Sequence, residues 1–187
     1  TVALWHMDAT EQDDTGVTDG KLNLTGNTSA GFIAEGRFGT GLENVSSTEW
    51  TEVNGTTDTD DAYFPVGGSP SLTVEFWVKN NVAGGSTMIL NNKYSGGYEF
   101  EKQADDTVKF QVRSRGNVDY PLISTTTLGV DDWHHVAGTW HATTETLKLY
   151  IDGVEEGATN LVGFVMEDAV GDTPITMLNQ WNHGKGF

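Results

Sequence analysis

The chain has 187 residues, with 27 acidic side chains against 10 basic ones, a formal net charge of −17 and no cysteine. Its length suits one domain with its own core, since a chain of this size buries roughly 70% of its unfolded surface. The missing cysteines exclude a disulfide framework, thiol catalysis and thiolate metal sites, while the acidic excess repels phosphate backbones and anionic lipid, so no nucleic-acid partner is expected.

No apolar run approaches the length of a membrane span, so no membrane insertion is expected either. The first third of the chain is irregular. Residues 10–19 form an acidic, glycine-containing loop, and residues 46–61 a polar stretch broken only by Trp50 and Val53. Neither has the apolar content to nucleate a core. From residue 72 onward short alternating or apolar runs recur: 72–78 (LTVEFWV), 87–91, 97–102, 108–113, 134–140, 147–151 and 175–178. Between them stand strong turn formers, among them Gly84-Gly85, Gly96-Gly97, Asp105-Asp106, Arg115-Gly116-Asn117 and Asp152-Gly153. No segment carries helical periodicity. The pattern predicts an all-β, two-sheet antiparallel sandwich with little or no helix.

Two segments predict their own facing. In VKFQVR, Val108, Phe110 and Val112 alternate with Lys109, Gln111 and Arg113, which predicts one buried face and one wet, polar face. In LKLYIDGVEEG, Leu147, Leu149 and Ile151 face inward, and Asp152-Gly153 turns the chain into a hairpin.

The ordered series WHMD (5–8), GRFGTGL (36–42), DAYFPV (61–66), SLTVEFWVK (71–79), DWHHVAGTW (132–140) and LKLYIDG (147–153) resembles the laminin G-like, pentraxin-like domains of the concanavalin A-like kind. The most specific part is WHHVAGTW followed by LKLYIDG. The resemblance implies a single jelly-roll domain over 1–187, at a cell or particle surface. Gly36, Gly39 and Gly41 are expected to let the chain turn and bulge beside Phe38. Trp77, Trp133 and Trp140 are expected to be buried and to fix how the sheets register. Such domains finish with a strand of the pattern F-x-G-x-I-D-E-V, which would begin where this sequence reads GKGF (184–187). The chain is therefore expected to be truncated, or to take that edge strand from a neighbouring chain.

No catalytic residue is assigned. Glu99 and Glu101 are the nearest imitation of the paired carboxylates of sandwich glucanases, although the Glu-x-Asp-x-x-Glu spacing is absent. His134 and His135 are adjacent, point to opposite strand faces and cannot share a metal. Calcium takes roughly six to eight oxygen ligands. The segment MDATEQDDTGVTDGKLN crowds Asp8, Glu11, Asp13, Asp14, Asp19 and Asn23 together, and the resemblance places calcium near it. Either it holds calcium through Asp8, Asp13, Asp19 and Asn23, or it is an ordinary solvated acidic loop. Stacking on a sugar needs exposed aromatics with polar neighbours, and the candidates are Tyr94, Tyr98, Arg113, Tyr150, Trp181 and His183.

The function that follows is a non-catalytic recognition module of a larger extracellular or adhesive surface protein, binding glycan or protein, with calcium in support. Two alternatives stand beside it. One is an assembly domain decorating a surface or viral particle. The other is an accessory carbohydrate-binding domain of a polysaccharide-degrading enzyme.

Overall fold

A computed structural model describes residues 24–26, 31–43, 51–53, 71–93, 97–114, 116–166 and 175–178. All regular structure among them is β. A seven-stranded antiparallel sheet runs in the order β1 (Leu24–Gly26), β4 (Thr51–Val53), β13 (Thr176–Met177), β6 (Thr87–Lys93), β7 (Gly97–Lys102), β8 (Thr107–Arg113), β9 (Asp119–Thr127). A four-stranded sheet runs β12 (Val154–Asn160), β11 (Thr146–Ile151), β10 (Trp133–His141), β5 (Leu72–Lys79). A separate hairpin pairs β2 (Gly31–Gly36) with β3 (Gly39–Glu43). The expected two-sheet antiparallel sandwich is what forms.

The core lies where the inward faces of the two large sheets meet. Phe100 and Phe110 stack at 4.5 Å, and Phe76 meets Phe100 edge-on at 5.1 Å. This aromatic block fits because β10 carries Gly138 opposite it: a Cβ there would lie 2.5 Å from Phe100 and 2.7 Å from Phe110. The glycine of the WHHVAGTW motif is thus a space requirement of the core. Leu147, Leu149 and Ile151 are buried as their alternation predicts. The turn after them has φ of 52° at Asp152 and 79° at Gly153. Two consecutive positive φ values make a turn whose twist matches the flanking strands.

Two facing expectations are corrected. The polar side of β7 and β8 is not wet: Gln111 is 4% and Glu99 is 3% exposed, with Lys109 half-buried between carboxylates. Nor do all three tryptophans enter the core. Trp140 does, edge-on to Phe164 at 4.9 Å, but Trp77 is 39% exposed and Trp133 only half-buried. The cause is strand parity. In β5 the inward positions are Leu72, Val74, Phe76 and Val78, so Thr73, Glu75, Trp77 and Lys79 share the outward face.

The two large sheets are also tied at one edge. β12 contains a bulge, since Tyr150 pairs with Glu155 while Leu149 pairs with Gly157. The extra residue is Glu156, and a bulge re-aims its side chain. The Glu156 carboxylate accepts from Thr125 N at 2.8 Å, Thr126 N at 3.0 Å, Thr125 Oγ1 at 2.6 Å and Thr126 Oγ1 at 2.7 Å. These donors sit where β9 itself departs from regular pairing, between Ile123 and Thr127.

Candidate ligand-binding face

The outward face of the four-stranded sheet carries an aromatic and cationic cluster that β5 and β10 build by register. Trp77 pairs with His135, and Lys79 with Trp133. The Trp77 and His135 rings lie 5.3 Å apart, and Lys79 Nζ lies 5.8 Å over the Trp133 ring. One step along the same face, Glu75, Ala137 and Tyr150 form a row across three strands. Glu75 reaches His135 Nε2 at 3.6 Å.

The β2–β3 hairpin completes the cluster. Its turn closes between Gly36 and Gly39, the latter at φ 113°, and a Cβ at Gly36 would strike the Thr40 carbonyl oxygen at 1.9 Å. Glycine at these two positions permits the tight turn, and the turn carries Arg37 and Phe38 outward. Phe38 is 73% exposed, yet it meets Trp77 edge-on at 5.8 Å. The Arg37 guanidinium lies 4.9 Å from the Phe38 ring centre and 4.7 Å from that of Trp77. At the base, Asn81 Nδ2 donates to Glu43 Oε1 at 3.0 Å, fixing the hairpin beside β5. The chain thus leaves two large aromatics and a stacked guanidinium at its surface, where burial would ordinarily be favourable.

Of the residues selected from sequence, Tyr150 lies on this face. Tyr98 does not: it is 2% exposed in the core, and burial drives its phenol pKa far upward. Tyr98 pairs with Val112 on the inward side of β7, so the strand expected over 97–102 forms but its facing encloses this ring. Arg113 is on the seven-stranded sheet, and its donors form a fork on Asp119, Nε–Oδ1 2.7 Å and Nη2–Oδ2 2.9 Å. A guanidinium so engaged is not open to a sugar. Tyr94, Trp181 and His183, and the calcium candidates Asp8, Asp13, Asp19 and Asn23, lie outside the described residues, as does the segment at 184–187. Arg37, Phe38, Trp77, Lys79 and His135 were not selected from sequence as binding residues.

The carboxylate pair offers no acid/base arrangement. Lys109 Nζ is 3.1 Å from Glu99 and also pairs with Glu101. Burial opposes the Lys109 charge, but the carboxylates of Glu101 and Glu99 outweigh it and hold its pKa above the ordinary lysine value. Both carboxylates are thereby committed to one ammonium. His134 Nδ1 donates to Asp152 Oδ2 at 2.8 Å, apart from the ring cluster. A concavity of about 520 Å3 is lined, among the described residues, by Ser114, Tyr120 and the 160–165 loop.

Residues 54–187 match a laminin G-type family profile described as the concanavalin A-like lectin/glucanases superfamily. The chain belongs to that superfamily. No curated protein sequence matches it. Among solved structures, the binding domain of Paraclostridial Mosquitocidal Protein 1 is similar with a TM-score of 0.71 and 14% identity, over 97% of this chain and 44% of that one. The botulinum neurotoxin serotype D ligand-binding domain, solved in complex with N-acetylneuraminic acid, gives 0.63 and 15%, over 91% and 43%. Mouse laminin alpha1 domains LG4-5 give 0.51 and 15%, over 63% and 30%. The chain spans less than half the length of each toxin binding domain, and at these identities the likeness establishes the fold.

Proposed function

We propose that the domain is a non-catalytic recognition module of a larger extracellular or surface protein, and that it binds glycan through the outward face of the four-stranded sheet. The single observation that carries this is the exposed Phe38–Trp77 pair, held rigid by the β2–β3 hairpin and ringed by Arg37, His135 and Glu75. Apolar ring faces stack on sugar C–H surfaces, and planar polar groups at their rim read hydroxyls. Because the aromatics sit on strands and a tight hairpin, little ordering entropy is lost on binding. The related structures support a binding role, since two of the three are binding domains. The commitment of Glu99 and Glu101 to Lys109 supports the absence of catalysis. The side-chain oxygens of Asp8, Asp13, Asp19 and Asn23 suit calcium as a structural ion.

A glycan array probed with the purified domain and with Trp77→Ala tests this. Loss of one stacking aromatic is expected to weaken any bound glycan at least about tenfold, equivalent to about 1.4 kcal/mol. Glycan binding that Trp77→Ala leaves unchanged would place the site elsewhere. Release of sugar from any polysaccharide, abolished by Glu99→Gln, would overturn the non-catalytic reading.

A further inference from the structure

Among the described residues with placed side chains, the lysines and arginines divide into two groups. Lys102 is paired with Asp106, Lys109 with Glu99 and Glu101, Arg113 with Asp119, and Lys148 with Glu155. Among the described residues with placed side chains, Arg37 and Lys79 instead rest on aromatic rings and meet no carboxylate. Both belong to the same face. Trp77 and Lys79 are two residues apart on one side of β5, about 6.6 Å along the strand, and Arg37 lies over Trp77.

A guanidinium lying on two ring faces is fixed in position while its N–H edge remains available. That edge matches the two oxygens of a carboxylate or sulfate and forms a fork of charge-assisted bonds. The ammonium of Lys79 supplies a second positive charge nearby. Of the carboxylates around this face, Glu75 lies 3.6 Å from His135 Nε2, Asp152 accepts from His135 N, Glu155 is paired with Lys148, and Glu43 accepts from Asn81. At physiological salt the screening length is about 8 Å, so most of the distant carboxylates behind the net charge of −17 do not cancel this local field.

On the reading that this face recognises glycan, we infer that its ligand is an acidic saccharide, with the sugar ring against Trp77 and Phe38 and the carboxylate or sulfate on Arg37, Lys79 lending further charge. A neutral saccharide would leave the Arg37 guanidinium with its hydrogen-bonding edge unused. The overall acidity has a further consequence. Polyanions are repelled from the rest of the surface, so their binding reports a specific site and not general adhesion.

The test is isothermal titration with four probes: an oligogalacturonide, its fully methyl-esterified form, a sulfated κ-carrageenan oligosaccharide and its desulfated form. Each is run against wild type, Arg37→Gln and Arg37→Lys, all first checked for unchanged melting temperature; Arg37 is exposed, so its replacement leaves the core intact. The expected result is that one acidic probe binds at least about tenfold tighter than its neutral counterpart. Arg37→Gln should abolish that preference, and Arg37→Lys should restore only part of it, because the fork is lost. Preference in the first pair assigns a carboxylate ligand, and preference in the second a sulfate. Equal binding of acidic and neutral forms, or no binding of any acidic probe, overturns the inference. The recognition reading itself survives that outcome if a neutral glycan on the array binds and is lost with Trp77→Ala; it falls only if no glycan depends on Trp77.

Discussion

Replacing Glu156 by Gln perturbs the clamp between the two sheets and leaves the hydrophobic core untouched. The wild-type carboxylate accepts four hydrogen bonds, two from backbone N–H groups and two from hydroxyls of Thr125 and Thr126. The hydroxyls of Thr125 and then Thr126 are the largest influences holding its pKa down, from the ordinary 4.5 to about 2. A shift of that size corresponds to at most about 3.4 kcal/mol by linkage. The group is partly solvated and water can replace some of the bonds, so about 1.5 kcal/mol is the expected contribution. The folded pKa is depressed, so this stability is fully present above about pH 4.5 and is lost as pH falls through about 2. Chemical denaturation of wild type and Glu156→Gln across pH 2–7 is the assay. At pH 7 the variant should be less stable by about 1.5 kcal/mol, a fall of roughly 3–6 °C in Tm. The gap should narrow below pH 4.5 and close near pH 2. A gap that is absent at pH 7, or constant down to pH 2, would refute the clamp.

Gly138→Ala should lower Tm by several degrees, because the new Cβ meets the stacked Phe100 and Phe110 and overpacking costs about 1–3 kcal/mol; an unchanged melt would show that the aromatic block has room to move. Calcium should raise Tm relative to chelator if the 8–23 loop holds it, by about 2.7 kcal/mol of stability at a hundred times the dissociation constant. Superimposable melts would remove calcium from the account. Gly39→Ala should leave the core intact but misplace Phe38, since φ of 113° disfavours any side chain; glycan binding is expected to fall while Tm changes little.

Most strands of the large sheets were legible in the sequence as alternating or apolar runs between turn formers, whereas β9, which carries Pro121 and the polar run Ser124–Thr127, and the three-residue β1 and β4 were not. Gly97–Lys102 matches residue for residue, and the Asp152-Gly153 turn was readable from the dipeptide alone. The recognition surface was harder to see, for two physical reasons. Tryptophan in an apolar run suggests core, and Trp77 sits in LTVEFWV among Leu, Val and Phe. Its parity says otherwise: Trp77 shares odd positions with Thr73, Glu75 and Lys79, and that alternation was the available signal. The rest of the surface is assembled from segments distant in sequence. Nothing local in GRFGTGL tells that Arg37 and Phe38 meet a strand some forty residues later. Conversely, Gln111 and Glu99 look like solvent-facing residues by pattern, and their burial is a property of the assembled sheet.

The central claim is that ligand engages the outward face of the four-stranded sheet at Trp77. The chain has six tryptophans, each with one indole N–H that gives its own signal in a two-dimensional nuclear magnetic resonance spectrum. Each signal can be assigned by single Trp→Phe replacement, and the domain then titrated with whichever saccharide binds. The Trp77 signal should shift most and that of Trp133 less, while Trp140, enclosed in the core, stays in place. A largest shift at Trp181, with Trp77 unmoved, would contradict the account.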